Sequence, residues 1–91
     1  MIQRAQEVAE AIAADVLAGR LDPGDPVPTV RALARQLGCA PGTAARAHGI
    51  LRDAGVIGGA PRSRAVVAAD GVAAALMMGA HQGVASAVGQ R

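Results

Sequence analysis

All nine basic residues of this chain are arginines, and their placement is the first chemistry that the sequence offers. A guanidinium is planar, permanently charged and carries five donors in a fixed fork, which suits a phosphate or the edge of a guanine. Arg31 and Arg35 lie one helical turn apart, Arg46 stands further along, and Arg62 and Arg64 flank a single serine. Thr29 and Thr43 add hydroxyls near these arginines. Other reactive groups are sparse. The serines are Ser63 and Ser86, the histidines His48 and His81, and the one cysteine is Cys39. No nucleophile stands at a recognisable spacing from a base, and no glycine loop has the pattern that cradles phosphates, so an enzyme is not expected. Structural zinc needs four ligands, which one Cys and two distant His do not supply, so neither a metal nor another cofactor is expected. Cys39 precedes a helix start, where a thiol could act as a sensor. A small residue packed in a turn is the simpler assignment.

Composition narrows the field. Ninety-one residues allow one small domain. Without Phe, Tyr or Trp the core must be aliphatic, and base stacking on aromatic platforms is excluded. That counts against recognition of single strands or RNA loops. The net charge is only +2 although the pI is about 10.0, so any nucleic-acid footprint must come from clustered arginines. A single cysteine forms no intrachain disulfide and fits a reducing compartment. Glu7, Glu10 and Asp15 interrupt the amino-terminal segment, which therefore does not read as a signal peptide. The longest apolar run, residues 71–80, is about half of a membrane span. No membrane association is expected, and the cytoplasm is the default location.

The elements that must position the arginines are legible as helices. Residues 2–18 carry an apolar stripe of Val8, Ile12, Val16 and Leu17 supported by alanines, with Gly19 as its stop. Asp22-Pro23-Gly24-Asp25 reads as a turn, and Pro26 and Pro28 hold Val27 extended. Thr29 is a good N-cap for a second helix, whose stripe is Val30, Leu33, Ala34 and Leu37 and whose stop is Gly38. Pro41 suits the first turn of a third helix with its stripe at Ala44, Ala47, His48 and Leu51, ending at Gly55. Two short helices around a tight turn form a helix-turn-helix, whose second helix typically enters the major groove of DNA. Val56-Ile57 and Ala65–Ala68 favour strands and enclose a glycine-rich tip bearing Arg62 and Arg64. Three helices followed by a hairpin describe a winged helix-turn-helix, mainly α with a small β-hairpin, over residues 1–69.

Residues 70–91 form a C-terminal helix or tail. A stripe of Val72, Ala75, Leu76, Gly79, Ala80, Gly83 and Ala87 runs through residues 71–88, and Gly79 and Gly83 have the small-xxx-small spacing of closely packed helices. Each glycine in such a segment weakens the helix by roughly 1 kcal/mol relative to alanine, so it would form best against a partner. The expectation is a contact between two copies of the chain.

The stretch from AEAIAADVLAGRL to LRDAGVI resembles the DNA-binding domain of GntR-family bacterial transcription regulators over about residues 5–68. The matching features are the "AGRL" end of the first helix, the Pro-Gly turn and the Pro-Thr-x-Arg-x-Leu-Ala segment from Pro28 to Ala34. Beyond these come the Leu-Gly turn, Thr43, Arg46 and Leu51 on the third helix, and Gly55 before the wing. The Pro-x-Thr-x-x-Arg-Ala form of that helix is most similar to the short YtrA-like and MocR-like branches. The resemblance implies a dimer bound to double-stranded DNA at a palindromic operator, usually as a repressor released by a ligand, here unknown. It implies DNA contacts from Thr29 and Arg31 at the second helix, from Pro41, Gly42, Thr43 and Arg46 on the third, and from Arg62 and Arg64 on the wing.

This sequence departs from the family in three places. The exposed face of the third helix is Gly42, Ala45, Arg46 and Gly49, which leaves Arg46 as the one long donor for base edges. His48 stands where the family usually has tyrosine. Residues 69–91 are too few for the effector domains that commonly follow this module. Two alternatives therefore remain beside the regulator: a protein-interaction module that has lost base readout, and the DNA-binding part of a longer ligand-responsive regulator.

Overall fold

The computed structural model describes residues 4–59 and 64–78. In chain order the elements are α1 (Ala5–Leu17), α2 (Val30–Leu37), α3 (Pro41–Ala54), β1 (Ile57–Gly58), β2 (Val66–Val67) and α4 (Gly71–Met77). The strands pair antiparallel with Ile57 opposite Val67 and Gly58 opposite Val66. The architecture is the winged helix-turn-helix, mainly α, that the sequence predicts.

Alanine decides the role of α1. Val8, Ala9 and every residue from Ala11 to Val16 are buried. A surface helix buries one stripe, but α1 is covered by α3 on one side and by α4 on another, and the alanines between its larger side chains let both approach. Of the expected stripe, Val8, Ile12 and Val16 are enclosed and Leu17 is half-buried. The helix starts at Ala5 rather than at residue 2, and residues 1–3 lie outside the described residues.

Asp15 is also fully enclosed, on the same face as Ile12. Its carboxylate accepts from Arg20 Nε at 2.7 Å. The chain reverses at Gly19 (φ 82°), and the Arg20 amide donates to the Asp15 carbonyl at 2.9 Å, so the arginine is carried back over the helix end. A buried carboxylate needs such partners, because desolvation otherwise opposes its charge.

Local signals set the rest of the helix-turn-helix. The Thr29 hydroxyl accepts from the Ala32 amide at 3.1 Å, capping α2. Gly38 takes φ 68°, a left-handed conformation that only glycine adopts without steric strain, and so turns the chain from α2 into α3. Pro41 opens α3 at N1. The expected Asp22–Asp25 turn closes with the Asp25 amide on the Asp22 carbonyl and the Asp22 amide on the Asp25 carboxylate, each at 2.9 Å.

The sheet is wider than the sequence predicts. Pro26 bridges Val66, the Val27 amide donates to the Ala65 carbonyl at 2.9 Å, and the Val67 amide donates to the Asp25 carbonyl at 2.9 Å. The segment before α2 therefore lies along β2 on the side away from β1. Ala65 and Ala68 flank β2 and Val56 precedes β1, so the expected strands are shorter, although Ala68 still donates to the Val56 carbonyl at 2.9 Å.

Of the stripe expected on α4, Ala75 is buried but Val72 and Leu76 are not. Gly71 and Ala75 are buried and Ala74 and Met78 partly so, whereas Val72 and Leu76 are exposed, with Met77. The reason is steric. A Cβ on Gly71 would lie 2.7 Å from Val67 Cγ1 and 3.0 Å from the Val56 carbonyl oxygen, so only glycine seats this helix end on the sheet. Once Gly71 is inward, Ala74, Ala75 and Met78 follow at helical spacing. The remainder of the expected helix, including Gly79 and Gly83, lies outside the described residues.

These contacts predict opposite effects for two glycines. Gly71→Ala should lower stability by about 1–3 kcal/mol, as overpacking does. Gly49→Ala, whose Cβ would meet nothing within 4 Å, should raise it by about 0.5–1 kcal/mol through helix propensity. Urea midpoints of the two variants should bracket the wild type, and an unchanged midpoint for Gly71→Ala would disprove the tight seat.

Candidate nucleic-acid interface

α3 divides into two faces. Ala44, Ala47 and Leu51 are buried against the core, and His48 and Ile50 are half-buried. Gly42, Ala45, Arg46 and Gly49 are exposed at i, i+3, i+4 and i+7, so one open face carries a single long polar side chain. Pro41 is exposed at the helix start, and Thr43 is half-buried at the third position.

α2 presents Arg31 and Arg35 to solvent one turn apart. Arg31 is the second residue of the helix, where the positive end of the peptide dipoles adds to its own charge. Thr29 is exposed just before it, with its hydroxyl oxygen engaged as the cap. Among the described residues no carboxylate lies within ion-pair distance of Arg31, Arg35, Arg46 or Arg64, in contrast to the Asp15–Arg20 pair behind them. Cys39 sits half-buried in the turn between the helices and packs against the core.

Arg64 stands at the base of the hairpin. It is exposed, yet its Nε donates to the Val27 carbonyl at 3.1 Å, which holds the guanidinium against the strand preceding α2. Arg62 lies outside the described residues. Arg52 is exposed and extends towards the hairpin neck, where Nη1 is 3.4 Å from the Gly59 carbonyl oxygen. At that length the bond is weak.

The link between the two helices is His48. Its Nε2 lies 2.9 Å from the Pro28 carbonyl oxygen, twenty residues back in the chain. A carbonyl only accepts, so this ring nitrogen carries the proton and donates. The ring sits on the face of α3 opposite Arg46, and Pro28 is three positions before Arg31. One hydrogen bond thus fixes the middle of α3 to the start of α2. With the Arg64 contact to Val27, it brings α2, α3 and the hairpin base onto two consecutive carbonyls. The sequence places His48 on the apolar stripe and does not reveal this partner.

Burial lowers the His48 pKa from 6.5; the bond to Pro28 acts in the opposite direction, and the positive charge of Arg52 lowers it further. The neutral ring is the favoured form in the fold.

The sequence model for "Bacterial regulatory proteins, gntR family" matches residues 4–67, which covers α1 through β2. No individual curated protein matches the chain.

The His48 environment predicts a pH dependence of stability. Below 6.5 the unfolded ring takes up a proton that the folded ring resists, so the unfolded state binds more protons and stability falls with pH. The loss begins as pH drops through 6.5 and ends below the lowered folded pKa; above 6.5 this group contributes no slope. In a His81→Gln background, thermal midpoints between pH 7.5 and 5 should therefore fall more for the chain with His48 than for His48→Gln. Parallel curves would show that the ring is not desolvated.

Proposed function

This chain belongs to the gntR family of bacterial regulatory proteins and is a DNA-binding transcription regulator; from that premise we propose that it acts as a repressor, bound as a homodimer to a palindromic operator. The observation that carries the proposal is the open face of α3 flanked by the uncommitted arginines of α2. α3 enters the major groove with Arg46 on a base edge, and Pro41, Gly42 and Thr43 at the helix start lie closest to the DNA. Arg31, beside Thr29, contacts phosphate at the start of α2. Arg64, and Arg62 at the wing tip, serve the neighbouring backbone.

A face with one long donor reads few bases. Phosphate contacts then supply most of the affinity, and base discrimination is modest. Two half-sites bound together compensate for the few contacts made by one subunit. Blocking a promoter by occupancy follows from such binding without a further activity. The bareness of the α3 face also favours a second reading, in which this surface docks a protein and base readout has been lost.

Fluorescence anisotropy tests these readings. The probe is a duplex selected by the wild-type chain from a randomised library, beside a scrambled duplex, each at two salt concentrations. Arg46→Ala should weaken the selected duplex by about 1–3 kcal/mol and narrow its advantage over the scrambled one. Arg31→Ala should weaken both duplexes alike and make the logarithmic salt slope shallower by about 1. If the wild type selects no sequence from the library, the protein-docking reading takes its place.

The second copy, we propose, meets this one through α4 and the residues beyond it. Val72, Leu76 and Met77 are exposed on α4 although all three are apolar. No Asp, Glu, Lys or Arg occurs from Gly71 to Gln90, so the apolar face continues into an uncharged segment suited to a copy of itself. Three side chains fall short of the roughly 800 Å² per partner in a stable interface, so the proposal extends to residues 79–91, which lie outside the described residues. Sedimentation equilibrium should find a dimer for the wild type and a monomer of unchanged helicity for Leu76→Arg. A Leu76→Arg variant that remains dimeric excludes this face.

A further inference from the structure

We infer that His48 is a positioning residue for DNA recognition: by holding the Pro28 carbonyl it sets the placement of α3 relative to the start of α2, without itself touching DNA. The inference rests on the DNA-binding role of this chain and adds to it a residue that faces away from the proposed contact surface.

The geometry supports this in three ways. The 2.9 Å bond joins the centre of α3 to the residue immediately before the Thr29 cap, so any tilt or slide of α3 is felt at Arg31 within one turn. No other side chain among the described residues hydrogen-bonds between α3 and the segment leading into α2. Ala44, Ala47 and Leu33 belong to the core beneath these helices, and their hydrophobic burial is non-directional. A hydrogen bond fixes direction as well as distance.

The ring has little competition for this role. The charged groups on the surrounding elements are Glu7, Glu10 and Asp15 on α1, Arg31 and Arg35 on α2, Asp22 and Asp25 in the preceding turn, Arg64 beside β2, and Arg46, Arg52 and Asp53 on α3. Asp25 is tied to the Asp22 amide and Arg64 to the Val27 carbonyl, and of all these groups only Arg52 acts on the ring by its charge. Pro28 is a buried residue, so losing the donor takes from its carbonyl the side-chain partner it has in the fold.

The test compares His48→Gln, which keeps a donor of similar reach, with His48→Leu, which keeps bulk and removes the donor. Selected and scrambled duplexes are titrated at pH 7.5, and thermal midpoints are recorded for each chain. For a positioning role, His48→Leu should lose about three- to tenfold in preference for the selected duplex, the equivalent of one net hydrogen bond. Its binding to the scrambled duplex should stay close to wild type, and His48→Gln should restore the preference. Equal loss on both duplexes, tracking the fall in thermal midpoint, makes His48 a merely structural residue and overturns the inference. So does a His48→Leu chain that discriminates as well as wild type. If His48→Leu does not fold, His48→Gln decides: discrimination lost in a folded Gln variant whose amide fails to protect the Pro28 carbonyl supports the role, and discrimination kept without that bond overturns it. A wild type that binds no duplex fails the DNA-binding premise itself, a result separable from any difference among the variants.

Discussion

The five residues from Gly24 to Pro28 are the constraint on which the proposed DNA-binding surface depends. Asp25 and Val27 direct their backbone groups towards β2, where the Val67 amide and the Ala65 carbonyl meet them. Pro26 and Pro28 alternate with these and have no N–H to offer the other edge. The prolines thus permit an edge strand that pairs only inwards and presents no ladder to another chain. The Pro28 carbonyl lies on that outer edge, and His48 takes it. The inner edge still has the Val27 carbonyl, and Arg64 takes that. Sheet, recognition helix and wing base are therefore referenced to one rigid piece of chain, which leads directly into the Thr29 cap and Arg31.

Local features of this arrangement are legible in the sequence, because one residue and its neighbours determine them. Thr29 caps whatever helix follows it, Gly38 and Gly55 stop helices through φ values of 68° and 86°, and Asp22 and Asp25 close their own turn. Contacts across long separations are not legible. The bond from His48 to Pro28 spans 20 residues and that from Arg64 to Val27 spans 37, and nothing in either residue type names a backbone carbonyl as its partner. The same holds for the pairing of Pro26 with Val66, since proline is a poor strand signal. The Asp15–Arg20 pair is not legible either: the sequence shows Asp15 only as one of the charges that interrupt the amino-terminal segment.

The orientation of α4 shows how steric fit can override hydropathy. Val72 and Leu76 are more apolar than Gly71, so periodicity alone turns them inwards with Ala75, yet of these three only Ala75 is buried. The space between α4 and the sheet admits no Cβ at Gly71, and one close approach at the first turn fixes the rotation of all that follows. Hydrophobic burial is proportional to area and tolerates many rotations, whereas a backbone seated so close that an added Cβ would lie 2.7 Å from Val67 Cγ1 tolerates few. The larger apolar groups are left outside, on the surface proposed to meet a second copy.

A recognition helix with glycine and alanine on its open face has a further consequence in the proposed complex. Short side chains set a close approach of backbone to groove, so helix placement matters more than it does where long side chains can adjust to reach their bases. Arg46 is the one flexible reader on that face. Precision must then come from behind the helix, where packing on α1 limits its depth and the His48 hydrogen bond limits its angle. In that proposed complex arginine contacts to phosphate supply affinity over many sequences, and discrimination depends on how rigidly a nearly bare helix is held against the few bases it can read.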